Sequence, residues 1–246
     1  MSAGGVELIA VDGQRLRVGP WRNSPRVGFL APVGDAMPMR EATLRHALDR
    51  LGAAGFKEVI TGAIPENEAG LFLKAGFRIR ERLHLLAHPL ISVPRPERGS
   101  TRRATRRDRP AVLELDHLAF QPFWRLDADA LDESLMATPV ARFRVSGGHS
   151  TFPRRSDSRS VTGYAIFGWS AQRGYLQRLA VHPEHRGRGL AEALIFDGLR
   201  WLIRRGSGSV LVNTQEGNER ALKLYQRVGF VLEPHGLAVL CADLAP

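Results

Sequence analysis

The amino-acid sequence predicts an α/β protein, and three stretches carry that prediction. Leu176-Gln-Arg-Leu-Ala-Val181 is an apolar strand that runs through His182-Pro-Glu-His-Arg-Gly-Arg-Gly189 into a helix starting near Leu190. Asn218-Glu-Arg-Ala-Leu-Lys-Leu-Tyr225-Gln-Arg-Val-Gly-Phe230 has the apolar period of a second helix, closed by a glycine. Val161–Trp169 and Gly174–Val181 read as an antiparallel pair across a short turn.

The remaining elements follow from the same signals. Residues 1–91 form an N-terminal half, 92–109 a linker, and 110–246 the C-terminal part. In the first, Leu44, Leu48 and Leu51 make a helical stripe ending near Gly55, Lys57–Ile64 reads as a strand, and Glu66–Ala75 as a helix. Ser92–Pro110 holds seven Arg against Glu97 and Asp108, a solvated connector by composition, and runs into a first strand at Arg102–Thr105. Asp108–Phe120 and Asp127–Thr138 are helices with apolar stripes, Ala141–Ser146 alternates as a strand does, and Gly147–Ser160 is a polar loop. Ala191, Ile195, Leu199 and Leu202 share one helical face, which Arg204-Arg-Gly206 terminates. Val210–Asn213 is the next strand. Asn218 can cap a helix whose inner face is Ala221, Leu224, Tyr225 and Val228, and Phe230–Asp243 supplies the final strands.

Leu71-Phe-Leu-Lys-Ala-Gly-Phe77 parallels Leu224-Tyr-Gln-Arg-Val-Gly-Phe230, which points to an internal repeat. The two halves are not equivalent. Phe72 stands where Tyr225 does, and Val27–Met39 offers no basic glycine turn and carries Asp35, which repels phosphate.

A chain of 246 residues suits one large domain or two small ones. Its net charge of +10, with a pI near 10.9, favours anionic ligands: nucleotides, coenzyme A, acidic proteins or nucleic acid. The single Cys241 excludes an intrachain disulfide, and its apolar surroundings predict a buried, inert thiol. His182-x-x-His185 has no thiols nearby, so no metal site is expected. The opening residues lack a secretion signal and no apolar run reaches bilayer length, so the expected location is the cytoplasm, with no membrane partner.

Gly187 and Gly189 allow backbone conformations closed to residues with a Cβ, and the helix from Leu190 begins with N–H groups that lack intrahelical partners. With Arg186 and Arg188 alongside, such a turn can hold a diphosphate; on pattern alone a plain surface turn is the alternative. The spacing Arg186-x-x-Gly189-x-Ala191, followed by Asn218 to Phe230 about one helix and one strand later, closely resembles the GNAT superfamily of acyl-CoA-dependent N-acyltransferases, over roughly Thr101 to Leu244. The resemblance implies a mixed, mostly antiparallel central sheet flanked by helices, with a smaller, degenerate GNAT-like N-terminal half as in tandem members. It implies acetyl-CoA as cosubstrate and no metal. It further implies that the backbone of Leu179, Ala180 and Val181 pairs with the pantetheine arm, on a strand splayed from its neighbour and often bulged. Arg186, Gly187, Arg188, Gly189, Leu190 and Ala191 would hold the diphosphate. Asn218 would contact the coenzyme near its thiol end, besides serving as a cap, and Tyr225 would be the general acid. A tyrosine on an inner helix face also serves packing alone.

Moving an acetyl group to an amine requires a neutral amine and a protonated leaving thiolate. Val161–Val181 contains no Asp or Glu, so three sources of the base remain open: Glu184, His182, or a water chain to backbone carbonyls. Asp116, His117, Phe120, Phe123, Trp124, Asp127 and Asp129 mix aromatic groups with acids, either as a site for a cationic acceptor or as helix core with solvated acids. The expected activity is direct transfer of acetyl from acetyl-CoA to a primary amine, without a covalent enzyme intermediate. The alternative is an acetyl-CoA-binding sensor that touches nucleic acid through the Arg-rich linker. Nucleic acid is disfavoured because the Arg run lacks interleaved aromatics and abuts a strand.

Overall fold

The structure, a computed structural model, describes residues 6–11, 13–33, 39–96, 101–147 and 161–244. Asp35 and residues 148–160 of the expected polar loop lie outside the described residues. Along the chain the first elements are β1 (Glu7–Val11), β2 (Gln14–Pro20), β3 (Val27–Pro32), α1 (Glu41–Ala53), β4 (Glu58–Thr61), β5 (Ile64–Pro65), α2 (Gly70–Lys74) and β6 (Arg78–His88). Then come β7 (Arg102–Arg103), α3 (Arg109–Ala119), α4 (Ala128–Met136), β8 (Val140–Ser146), β9 (Gly163–Ser170) and β10 (Arg173–Val181). The last are α5 (Leu190–Ile203), β11 (Ser209–Gln215), α6 (Glu219–Arg227), β12 (Val231–Leu232) and β13 (Leu237–Asp243). The mixed, mostly antiparallel strands flanked by helices make this the α/β GNAT-type architecture that the motifs predict. None of the described helices is long and apolar enough to cross a membrane.

The chain divides into two compact units. The first holds Met1–Leu85, Asn213–Glu219 and Glu233–Pro246; the second holds Leu86–Val212 and Arg220–Leu232. In the first, the strand order is β1-β2-β3-β4-β13-β6, with β3 and β4 parallel and the other neighbours antiparallel. Leu44, Ala47 and Leu51, one face of α1, pack on Leu16, Val18 and Leu30 of the sheet. Two expected elements are broken. Lys57–Ile64 is two strands: β4 pairs with both β3 and β13, whereas Ile64, past the break at Gly62 and Ala63, pairs with Ala238 of β13 alone among the described residues. Glu66–Ala75 is a 3-10 turn over Glu66–Glu68 followed by the short α2, the break falling at Gly70, a poor helix former.

The parallel between Phe72 and Tyr225 has a structural counterpart. The N–H of Phe77 donates to Phe72 O at 3.0 Å and that of Phe230 to Tyr225 O at 2.9 Å. The intervening Gly76 (φ 87°) and Gly229 (φ 99°) end both helices in the same left-handed conformation.

In the second unit the order is β11-β10-β9-β8-β7. Residues of β9 alternate between two cores: Tyr164 and Ile166 with Val112, Leu115 and Leu131 of α3 and α4, and Ala165 and Phe167 with Leu194, Ile195 and Leu199 of α5. The closest approach is at Gly198 of α5, where a Cβ would lie 2.1 Å from Phe167 Cε2 and 2.3 Å from Cζ. Gly198→Ala should therefore destabilise the protein by about 1–3 kcal/mol, although alanine is the better helix former. Urea denaturation measures this; unchanged or higher stability would contradict the helix–strand contact.

The Arg-rich segment enters this unit as structure. Arg102 makes two bonds to Asp108, at 2.6 and 2.8 Å, and Thr105 and Asp108 form a capping box ahead of α3. Arg102, together with the Thr105 hydrogen bonds, holds the buried Asp108 carboxyl well below the usual carboxylate range.

Candidate functional site

Strand β10 pairs with β9 along its length, but with β11 only at Arg173↔Ser209, Gly174↔Val210 and Tyr175↔Leu211. The β9 register shifts between Leu176 and Arg178, so Gln177 is an extra residue at a bulge. A bulge bends and twists its strand, and here it lies where the pairing with β11 ends. From Leu176 to Val181 the strand is paired on the β9 side alone among the described residues. Main-chain groups of Leu179, Ala180 and Val181 thus stand along an open edge, where an extended ligand can add as a strand.

The edge leads directly into the turn. Pro183–His185 forms a 3-10 turn in which His182 Nδ1 accepts from the Glu184 N–H at 3.3 Å, and Arg188 donates to Glu184 O at 3.3 Å. Gly187 (φ 74°) and Gly189 (φ 73°) are both left-handed. Gly189 is the N-cap of α5, and its carbonyl accepts the first helical bond, from Ala193 N at 2.9 Å. The N–H groups of Leu190, Ala191 and Glu192 therefore have no intrahelical partner and point out of the helix start. Partial burial, and after it the neighbouring Arg220 charge, lowers the pKa of Arg186. Arg186 and Arg188 thus immediately precede a helix N-terminus, with the Arg220 charge acting on Arg186, an arrangement that favours a multiply charged anion. Glu192, the acid of the first turn, is engaged by Arg227 at 2.8 Å. Arg220 carried no signal of its own in the sequence.

Tyr225 lies buried on the inner face of α6, in the same core as Leu176, Leu194 and Ile195, with Leu179 packed against that core. Its ring is 5.6 Å from that of Phe230. Burial raises its pKa above the ordinary phenol value, and the Arg178 cation opposes that rise, so the hydroxyl keeps its proton at neutral pH. Asn218 immediately precedes α6, and its N–H donates to Gln215 O at 2.9 Å; it is counted with the first unit.

Sequence reasoning did not single out Arg178. Its Nε donates to Asp116 Oδ2 at 2.9 Å, and its Nη2 to Asp116 Oδ1 at 3.0 Å and to Trp124 O at 2.7 Å. The guanidinium carbon lies 3.5 Å from the Phe120 ring centroid. Asp116, 0% exposed, also accepts from Tyr164 Oη at 2.5 Å and Leu126 N at 2.7 Å. The carboxylate absent from β9 and β10 is thus delivered to their face by α3, already bound to a cation. Of the other residues in the aromatic-acidic group, Asp127 caps α4 through Ala130 N at 2.7 Å and His117 bonds Leu126 O at 2.8 Å. Phe123 and Trp124 meet edge to face at 4.9 Å. His182 and Glu184 sit in the turn, about 13 Å or more along the strand from the bulge at 3.3 Å per residue. Among the described residues, no three His, Cys, Asp or Glu are grouped to hold a metal ion.

Comparison with known proteins agrees with this architecture. Residues 110–230 match the Acetyltransferase (GNAT) family. Among solved structures, a tandem GNAT protein from the clavulanic acid biosynthesis pathway superimposes with a TM-score of 0.69 at 15% identity, covering 97% of this chain and 82% of that one. A GCN5-related N-acetyltransferase from Kribbella flavida gives 0.63 at 13% identity, covering 98% and 90%. One from Sphaerobacter thermophilus gives 0.59 at 20% identity, covering 95% and 77%. At these identities the solved structures speak for the fold, and the family match speaks for the chemistry of 110–230. That segment, residues 110–230, is thus an acetyltransferase (GNAT) family domain, and the reaction of that family is acyl transfer from an acyl-CoA.

Proposed function

We propose that this protein is an N-acetyltransferase that moves an acetyl group from acetyl-CoA directly to a primary amine. The observation that carries the reading is the half-paired stretch of β10, Leu176 to Val181, continuing into a turn with two left-handed glycines and two arginines. An extended pantetheine arm suits the first and a diphosphate the second. Leu179, Ala180 and Val181 supply main-chain groups along the arm; Arg186, Arg188 and the amides from Gly187 to Ala191 neutralise the phosphates. Asn218 is the family-motif contact near the thiol end.

Tyr225 acts as general acid. A phenol that remains protonated while buried can donate to a departing thiolate, whose basicity is near that of an ordinary phenolate and is raised by the same desolvation that raises Tyr225. Alignment of amine and thioester on a rigid strand supplies several kcal/mol of the rate enhancement. The amine's proton leaves along water oriented by backbone carbonyls near the bulge and passes to solvent, since His182 and Glu184 belong to the phosphate end and Asp116 is bound to Arg178. Residues 1–91 are read as a degenerate GNAT-like half, followed by the 92–109 connector and the catalytic part from 110. There the parallel pair stays closed through Leu30↔Thr61, with Gly62 N donating to Leu30 O at 2.9 Å, and Phe72 has no hydroxyl.

An assay of thiol release from acetyl-CoA against a panel of amines, amino acids and peptides tests the reading. Acceptor-dependent release with an N-acetylated product is expected. Coenzyme binding without transfer to any acceptor would favour a sensor instead.

A further inference from the structure

Four acids that α3, α4 and their approaches bring to the second unit are engaged within it. Asp116 binds Arg178, Asp127 caps α4, Asp108 binds Arg102 and Asp132 binds Arg109. A site built for a strongly cationic acceptor would keep such carboxylates available. The polar group that does reach the bulge is a cation held in one orientation. Arg178 uses Nε and Nη2 on Asp116 and Trp124 O, while one face of the guanidinium is against Phe120. Nη1 makes no hydrogen bond to a described residue, and the side chain keeps 13% of its exposure while Asp116 keeps none. The ion pair is therefore held in one geometry, with its carboxylate sealed and part of the Arg178 side chain still exposed. Arg178 directly follows Gln177, so this guanidinium is carried by the bulge, beyond the point where pairing with β11 ends.

We propose that Arg178 is the specificity-determining residue for the acceptor, and that its Nη1 holds the carboxylate of a free amino acid whose amino group is acetylated. This rests on the acetyltransferase reading above. A guanidinium fixed by a buried carboxylate loses little further freedom on binding, and a charge-assisted bond from Nη1 discriminates against an acceptor with no carboxylate. Asp116 and Tyr164 are positioning residues: they orient Arg178 and touch neither reactant.

The test compares each amino acid with its own carboxamide, using acetyl-CoA and the intact protein. Loss of one charge-assisted bond predicts a kcat/KM for the acid about tenfold to a hundredfold above that for the amide. In the double variant Asp116→Asn/Arg178→Gln, which leaves no unpaired buried charge, this ratio should fall to about one while acetyl-CoA affinity, read by calorimetry, is kept. Amides or peptide N-termini acetylated as well as free amino acids would overturn the proposal and leave the acetyltransferase intact. An unchanged ratio in a folded double variant would remove Arg178 from selectivity. Should the double variant not fold, the acid-to-amide ratio of the unaltered protein decides alone. Absence of transfer to every amine tested, with coenzyme still bound, would overturn the acetyltransferase reading and this proposal with it.

Discussion

Tyr225→Phe is expected to lower turnover about a hundredfold or more while leaving acetyl-CoA affinity nearly unchanged. The substitution removes one hydroxyl from a buried ring and preserves the packing against Phe230. If the phenol only fills the core, little kinetic change follows. If it protonates the departing thiolate, the loss appears in kcat and in kcat/KM together, because the interaction is made in the transition state. The measurement is steady-state kinetics with an accepted amine, beside a coenzyme titration. Equal turnover would remove Tyr225 from the mechanism.

Gly189→Glu should abolish measurable acetyl-CoA binding and leave the fold standing. Gly189 is exposed and takes φ 73° at the N-cap of α5, a conformation that disfavours any residue with a Cβ. A Cβ there would meet only the Glu192 carboxylate, at 3.8 Å, so the core is undisturbed. The added carboxylate stands at the helix N-terminus, where it takes the dipole's favourable position and opposes a phosphate. Gly189→Ala separates the two effects: it carries the backbone cost without the charge and should weaken binding less. Unchanged affinity in a folded Gly189→Glu protein, read by calorimetry, would move the coenzyme away from this turn.

What the sequence made legible was local. The turn could be read because glycine and arginine spacing acts within a few residues of the chain, and α5 and α6 because their apolar faces repeat every three or four residues. Strand β6 escaped notice because Arg78, Glu81 and Arg82 break the apolar alternation; their partners Asp243, Gln215 and Glu66 come from distant parts of the chain. The bulge at Gln177 was implied by the family resemblance, but no residue there announces it. The Arg178–Asp116 pair joins positions 62 residues apart, and nothing in either neighbourhood marks the other. Asp116 looked like a candidate for binding a cationic acceptor, and the cation it binds is the protein's own.

The most direct test of the account is a calorimetric titration of acetyl-CoA into the intact chain. The half-open stretch of β10, the glycine-arginine turn and Tyr225, all on the second unit, predict a single saturable site per chain, lost in Gly189→Glu. Two sites of similar affinity, or one site that survives Gly189→Glu in a folded protein, would contradict it.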